Sequence, residues 1–312
     1  MAVLVEINNV CKHFVKGDET ITPLDGVYLD IEQGEFISLM GASGCGKSTL
    51  LNLVAGIDQP TSGSLVINGT DIGSLSRSKL AGWRAENIGY VFQSHNLIPV
   101  LTAYENIELP LLLLPLSRQQ RRERVEIVLQ AVALVDRANH YPRQMSGGQC
   151  QRISIARALT VNPEILICDE PVSALDVSVQ AKILNLLEDM KARYDLSLVF
   201  ISHDLSVVRN VSDRVVVMYL GKLCEVGGAD RLYEAPAHPY TRALLASAPE
   251  PARSVGVADA VLGDDLPSPT DPPSGCRFRT RCPLAIDRCA VEEPLMQKID
   301  EDHFVACHLP FT

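Results

Sequence analysis

The stretch Gly41-Ala-Ser-Gly-Cys-Gly-Lys47-Ser48 constrains this chain more than any other. It follows Phe36-Ile-Ser-Leu-Met40, an apolar run patterned as a short buried strand, and precedes a helical stretch from Lys47 to about Ala55. Strand, glycine-rich turn and helix in that order let backbone N–H groups curl around an anion, and the helix start adds partial positive charge. In the pattern G-x-x-x-x-G-K-[ST] the lysine reaches the β- and γ-phosphates and the hydroxyl is offered to Mg²⁺. Candidate nucleotide-binding residues are therefore Gly41, Ser43, Gly44, Cys45, Gly46, Lys47, Ser48 and Thr49, with Ser48 also a Mg²⁺ ligand. Cys45 fills a free spacer position, and its thiol is expected to be inert. The competing reading, a merely flexible strand–helix turn, does not account for the matching context.

A second apolar run, Ile165-Leu-Ile-Cys168, ends in Asp169-Glu170. Strand tips face the ligand crevice in open α/β sheets. Asp169 suits a Mg²⁺ shell and Glu170 suits polarising the water that attacks a γ-phosphate. Alone, such a pair would be a solvated strand end; beside a phosphate loop it gains a role. His203 follows the strand-like Leu198–Ile201, where it is either structural or a hydrogen-bonding sensor of the γ-phosphate. Gln93 ends the run Tyr90-Val-Phe-Gln93 and could ligate Mg²⁺ or water through its amide. Ser146-Gly-Gly148-Gln precedes the helix Gln151–Leu159, a second glycine-rich helix start suited to an anion, with Ser146 and Gly148 as its candidates. It lacks a lysine. One complete site and one half-site suggest that two chains share nucleotides.

Strand–helix alternation argues for a mostly parallel α/β sheet with a helical insertion. Residues 3–40 read as apolar segments with glycine breaks, and residues 76–135 as helical, with Val125, Val128, Leu129 and Val132 on one face. Near Gly227-Gly228 the composition shifts, and residues 248–275 read as a proline-rich linker. With 312 residues, a large domain plus an appendage is expected. Hydrophobic residues make up 46% and aromatics 5%, so a globular chain without an aromatic nucleic-acid platform is expected. A net charge of −10 implies no general affinity for polyanions, and no nucleic-acid partner is expected. The longest apolar run, Leu109–Leu116, is broken by Pro110 and Pro115 and is too short to span a bilayer. No signal peptide is read at the N-terminus, so a cytosolic location is expected.

In order, the motifs resemble those of the ATP-binding subunits of ABC transporters: Walker A 41–48, Q-loop Gln93, signature Met145–Gln149, Walker B 165–170, D-loop Ser173–Asp176 and switch His203. The resemblance covers about residues 3–228, and the signature departs from the usual form only in Met145, which replaces a leucine. It implies an α/β P-loop NTPase (ABC ATPase) core with a helical subdomain at about 94–159. Phe14 stands where the family places an aromatic that stacks on adenine. The resemblance further implies ATP and Mg²⁺ as cofactors, with Ser48, Gln93 and Asp169 at the metal and Glu170, His203 and Gln93 as catalytic residues. The implied partners are transmembrane permease subunits and a second ATPase subunit, same or related, closing head-to-tail over ATP. The implied location is peripheral, on the cytoplasmic face of the cell inner membrane.

Residues 229–312 resemble the C-terminal extension of oligopeptide and dipeptide permease ATPases, notably at His238-Pro-Tyr-Thr-Arg-Ala-Leu-Leu245 and around Cys276–Cys282. That implies peptide import with a substrate-binding protein. Residues 47–115 instead resemble ATPases of lipoprotein-release and macrolide-export systems, so the alternative is an exporter or lipoprotein-release complex. The thiols Cys276, Cys282, Cys289 and Cys307 are spaced unlike the close pairs of zinc ribbons. Permease ATPases with this tail can carry a [4Fe–4S] cluster, for which four thiolates suffice; zinc or no metal are the other readings. An ATPase acting on DNA or ribosomes would need a long coiled-coil insertion or a second cassette. A non-hydrolysing interaction subunit is argued against by intact Lys47, Glu170 and His203.

Overall fold

The structure is a computed structural model that describes residues 2–17, 19–247, 267–268 and 270–311. Two long strands, β1 (Val3–Lys16) and β2 (Glu19–Glu32), pair antiparallel. Alternation in β1 buries Val5 and Ile7 and exposes Glu6, so one face of this ribbon is core. The chain then enters β3 (Phe36–Met40), buried at every position, turns through residues 41–46 and starts α1 (Lys47–Val54). Strands β4 (Ser62–Ile67) and β5 (Thr70–Asp71) complete a four-stranded antiparallel sheet of order β2-β1-β4-β5.

Helix α2 (Arg77–Asn87) runs directly into β6 (Ile88–Val91), and the helices α3 (Ala103–Glu108), α4 (Arg118–Ala131) and α5 (Gly147–Leu159) follow. The continuous helical periodicity expected over 76–135 is thus interrupted. Residues 88–91 are claimed by the sheet, where Ile88 to Val91 pair in parallel with Ile165 to Cys168. Gly89 admits the close packing, since a Cβ there would lie 2.6 Å from the Ala158 carbonyl oxygen. The expected apolar face of α4 is present, with Val125, Val128 and Leu129 buried. Helices α3, α4 and α5 pack on one another as a separate layer.

The remaining elements are β7 (Ile165–Asp169), α6 (Val177–Tyr194), β8 (Ser197–Ile201), α7 (Leu205–Val211), β9 (Arg214–Tyr219), β10 (Lys222–Gly228), α8 (Ala229–Glu234), α9 (Pro239–Ala246), α10 (Asp287–Val291), β11 (Gln297–Asp300) and β12 (His303–Val305). The main sheet has eight strands in the order β11-β12-β10-β9-β3-β8-β7-β6. From β9 to β6 it is parallel, with near-continuous apolar strands buried on both faces. Strands β10, β12 and β11 add antiparallel at one end. Through β11 and β12 the C-terminal extension therefore shares the main sheet with β3 and β6–β10. One core lies between the two sheets around α1, a second on the α3–α6 side, and a third joins β9, α8 and α9 to Phe278. Most of the expected linker, residues 248–266 and 269, lies outside the described residues.

Candidate nucleotide site

The strand order β3-β8-β7-β6 sets four carboxyl-end loops side by side. They carry Gly41–Ser48, His203, Asp169-Glu170 and Gln93 respectively. In open α/β sheets this edge is where ligands bind.

The glycine-rich loop is shaped by backbone that only glycine adopts readily. Gly41, Gly44 and Gly46 have φ of 143°, 76° and 111°. Close approach excludes a side chain as well: a Cβ on Gly41 would lie 2.2 Å from the Met218 carbonyl oxygen, and one on Gly46 2.2 Å from that of Pro23. Lys47 opens α1 and is buried. Its ammonium donates to the carbonyl oxygens of Gly41 (2.7 Å) and Ala42 (2.9 Å), so it lies folded across its own loop. Burial raises the Cys45 thiol above its ordinary range, against the pull of Lys47, which keeps it a neutral spacer. A cavity of about 700 Å³ opens beside Gly41 and His203.

The two acids stand in different environments. Asp169 ends β7, half-buried, where the Tyr90 hydroxyl donates to Oδ2 at 3.4 Å. Burial raises its pKa, the neighbouring Glu170 raises it further, and Tyr90, Lys47 and His203 pull the other way. Glu170 adopts a left-handed φ of 48°. Its N–H donates to the Ile201 carbonyl at 3.0 Å, and its own carbonyl accepts from the Ser173 hydroxyl at 3.1 Å. The carboxylate is held on both oxygens: His203 Nε2 lies 2.7 Å from Oε1, and the Gln93 amide donates to Oε2 at 3.1 Å. The structure thus joins Gln93, Glu170 and His203 in one cluster beside Asp169.

Three expected residues lie outside this cluster. Phe14 is 44% exposed on β1, opposite Ile21 of β2, with the Lys12 ammonium 5.0 Å from its ring centroid. Ser146 and Gly148 belong to the start of α5, in the helical layer. The Ser146 hydroxyl accepts from Gln149 N–H (3.3 Å), and the Gln149 side chain accepts from Ser146 N–H (2.9 Å). This capping box leaves a glycine-rich helix start.

Sequence reasoning missed Tyr90 and Tyr240. Tyr90 lies in β6, which the sequence concealed inside a helical periodicity, and only pairing with β7 brings its hydroxyl to Asp169. Tyr240, whose hydroxyl accepts from the Ala42 N–H at 2.8 Å, bridges positions far apart in sequence and gave no signal.

Cys276, Cys282, Cys289 and Cys307 line one cavity together with His238 and Phe278. Burial raises the thiols of Cys276 and Cys282, and that of Cys307 to about 11. The cavity measures about 10 Å³, room for roughly one water. Among the described residues no group of three or more His, Cys, Asp or Glu could hold a metal ion. As placed, these thiols do not fit a four-iron cluster. No helix among the described residues is long and apolar enough to cross a membrane.

Residues 24–173 match the family described as ABC transporter, and residues 224–289 the one described as oligopeptide/dipeptide transporter, C-terminal region. A putative peptide import ATP-binding protein of Brucella ovis is 42% identical over 308 residues, covering 97% of each chain. The oligopeptide transport ATP-binding protein AppF of Bacillus subtilis is 46% identical over 295 residues, covering 93% of this chain and 90% of its own. The ATP-binding cassette MJ0796, solved as a post-hydrolysis dimer bound to ADP and Pi, superposes with a TM-score of 0.66 at 40% identity, covering 72% of this chain and 99% of that one. Identity at this level over almost the whole length, on a sheet that assembles the motifs at one edge, places the chain in the ABC transporter ATP-binding family as an ABC-type ATPase.

Proposed function

We propose that this chain is the ATP-hydrolysing subunit of a membrane transporter that imports di- or oligopeptides. The observation that carries the nucleotide reading is the meeting of Gln93, Glu170 and His203 at the sheet edge that also bears Lys47. The peptide reading is supported by the match of residues 224–289 and by the names of both relatives. The name of the Brucella ovis relative also favours import over the export or lipoprotein-release alternative.

In this reading the amides of residues 41–49 hold the phosphates, and Lys47 reaches the phosphate oxygens from its perch on the loop carbonyls. Phe14 stacks on the adenine. Glu170, with His203 on one oxygen and Gln93 on the other, orients the attacking water and accepts hydrogen bonding from it. Asp169 beside Glu170 is a half-buried carboxylate whose charge burial disfavours, the donor chemistry that suits Mg²⁺, and Ser48 and Gln93 complete the residues that would hold it. Mg²⁺ would supply charge neutralisation of the phosphates. Ser146 and Gly148 serve the nucleotide of a second ATPase subunit, a reading supported by the dimeric state of MJ0796. Transmembrane permeases and a substrate-binding protein complete the assembly, with this chain peripheral on the cytoplasmic face of the inner membrane. The boundary between cassette and extension is proposed at 228/229, and the helical subdomain at about 94–159.

The four C-terminal thiols, as placed, do not fit the iron–sulfur reading, whose one support is the donor set they present to one cavity. Iron and acid-labile sulfide in anaerobically purified protein decide it, and no step of turnover depends on it. For the nucleotide site the deciding experiment is Lys47→Ala: retention of ATP should fall at least about tenfold, and unchanged retention would overturn the site.

A further inference from the structure

The extension reaches the nucleotide loop. Tyr240, near the start of α9, is fully buried, and its hydroxyl accepts from the Ala42 N–H at 2.8 Å. The same Gly41–Ala42 peptide group offers its carbonyl, on Gly41, to the Lys47 ammonium at 2.7 Å. One peptide plane is therefore held at both ends, by the extension on its N–H and by the loop lysine on its C=O.

The hydroxyl is itself held rigidly. The Tyr240 ring packs against Tyr219 (centroids 4.7 Å apart) and Phe278 (5.3 Å). His238 caps α9 by accepting from the Tyr240 N–H at 3.0 Å. Buried Glu225 of β10 then accepts from the N–H groups of Ala237 (2.7 Å) and His238 (2.9 Å), and His303 Nε2 of β12 stands 2.7 Å from the same carboxylate. The β9–β10 turn touches the loop too, with Gly221 N–H donating to the Cys45 carbonyl at 2.8 Å. Arg277 bonds both the Leu220 carbonyl and Asp25, fixing that turn.

We propose that Tyr240 is a positioning residue of the nucleotide site: by fixing the Gly41–Ala42 peptide it sets the perch from which Lys47 engages the phosphates. Without the Tyr240 bond the Gly41–Ala42 peptide is held by Lys47 alone, and its rotation would turn the Gly41 carbonyl away from Lys47. The proposal rests on the reading of residues 41–49 as the ATP loop, and its test separates the two.

The test uses the full-length chain and measures binding of a fluorescent ATP analogue, KM for ATP, kcat and thermal unfolding. Tyr240→Phe removes only the hydroxyl. Loss of one neutral hydrogen bond corresponds to about 2- to 10-fold. The expected result is a 2- to 10-fold rise in both Kd and KM, with kcat at saturating ATP kept within about twofold. Val128→Ala opens a cavity in α4 of the helical layer, away from the loop and from Tyr240, and should lower the unfolding temperature while leaving Kd unchanged. Wild-type Kd and KM in Tyr240→Phe overturn the proposal. So does a loss of affinity in both variants that simply tracks their loss of unfolding temperature. If Lys47→Ala also retains ATP, the loop reading itself has failed; if only Tyr240→Phe is silent, the positioning role alone falls.

Discussion

Glu170 holds a backbone conformation that costs a non-glycine residue about 1–2 kcal/mol. Its N–H to Ile201 and its carbonyl to Ser173 Oγ hold it there. The outcome is a carboxylate aimed between His203 and Gln93 rather than along the strand. Glu170→Gln keeps the shape and removes the charge proposed to polarise water. Turnover should fall by about 10²-fold or more while ATP stays bound, as phosphate release and nucleotide retention would show. Asp169 carries a different cost. Its folded pKa lies above the ordinary carboxylate value, chiefly through burial and secondarily through Glu170. Its contribution to stability is therefore complete below the unfolded pKa and is lost as pH rises through the folded one. Asp169→Asn keeps an oxygen for Tyr90 and does not titrate. Without nucleotide it should unfold at higher temperature than wild type at pH 7, with the gap closing as pH drops below about 4, and it should hydrolyse ATP poorly. Equal unfolding temperatures at both pH values would refute the burial argument.

At the level of elements, α9 begins on a titratable cap. His238 is completely buried, and burial lowers its pKa to about 4, with Glu225 opposing. A histidine neutral in the fold and protonated when unfolded stabilises fully above its unfolded pKa near 6.5, and that stability is lost as pH falls toward 4. His238→Asn can still cap the helix but does not titrate, so its unfolding temperature should depend less on pH between 6.5 and 4, measured calorimetrically. The element starts and stops were largely written in local chemistry. Ser117, Ser146 and Thr102 each precede a glutamine or glutamate by three, and each opens a helix with a reciprocal cap. The strands β3, β7 and β8 were legible as unbroken apolar runs because both their faces are covered. Strand β6 was lost inside a helical periodicity because its four residues are too few to set a period of two, and its identity comes from pairing with β7.

Across the whole molecule, the loop, the acids and the switch histidine were readable because each ends an apolar strand, and the sheet order then brings them together. Contacts such as Tyr240 to Ala42 and His303 to Glu225 were not, because no local periodicity encodes a partner so far along the chain. The proposed pairing with a second ATPase chain predicts that turnover per chain rises with chain concentration before reaching a plateau. Ser146→Ala should lower that plateau, since it removes the α5 cap, worth about 1 kcal/mol, and the hydroxyl proposed to serve the second subunit's nucleotide. Concentration-independent turnover would refute the shared site. One structural feature also bears on biogenesis. Strand β10 receives its second neighbour from β12, so during synthesis its edge stays unpaired until the ribosome has delivered residues 303–305. At about 5–20 residues per second, the apolar margin faces the cell for several seconds. An unpaired strand of that kind can recruit another chain; a nascent cassette stalled within residues 229–302 should be prone to aggregate or to engage chaperones, however complete its nucleotide loop already is.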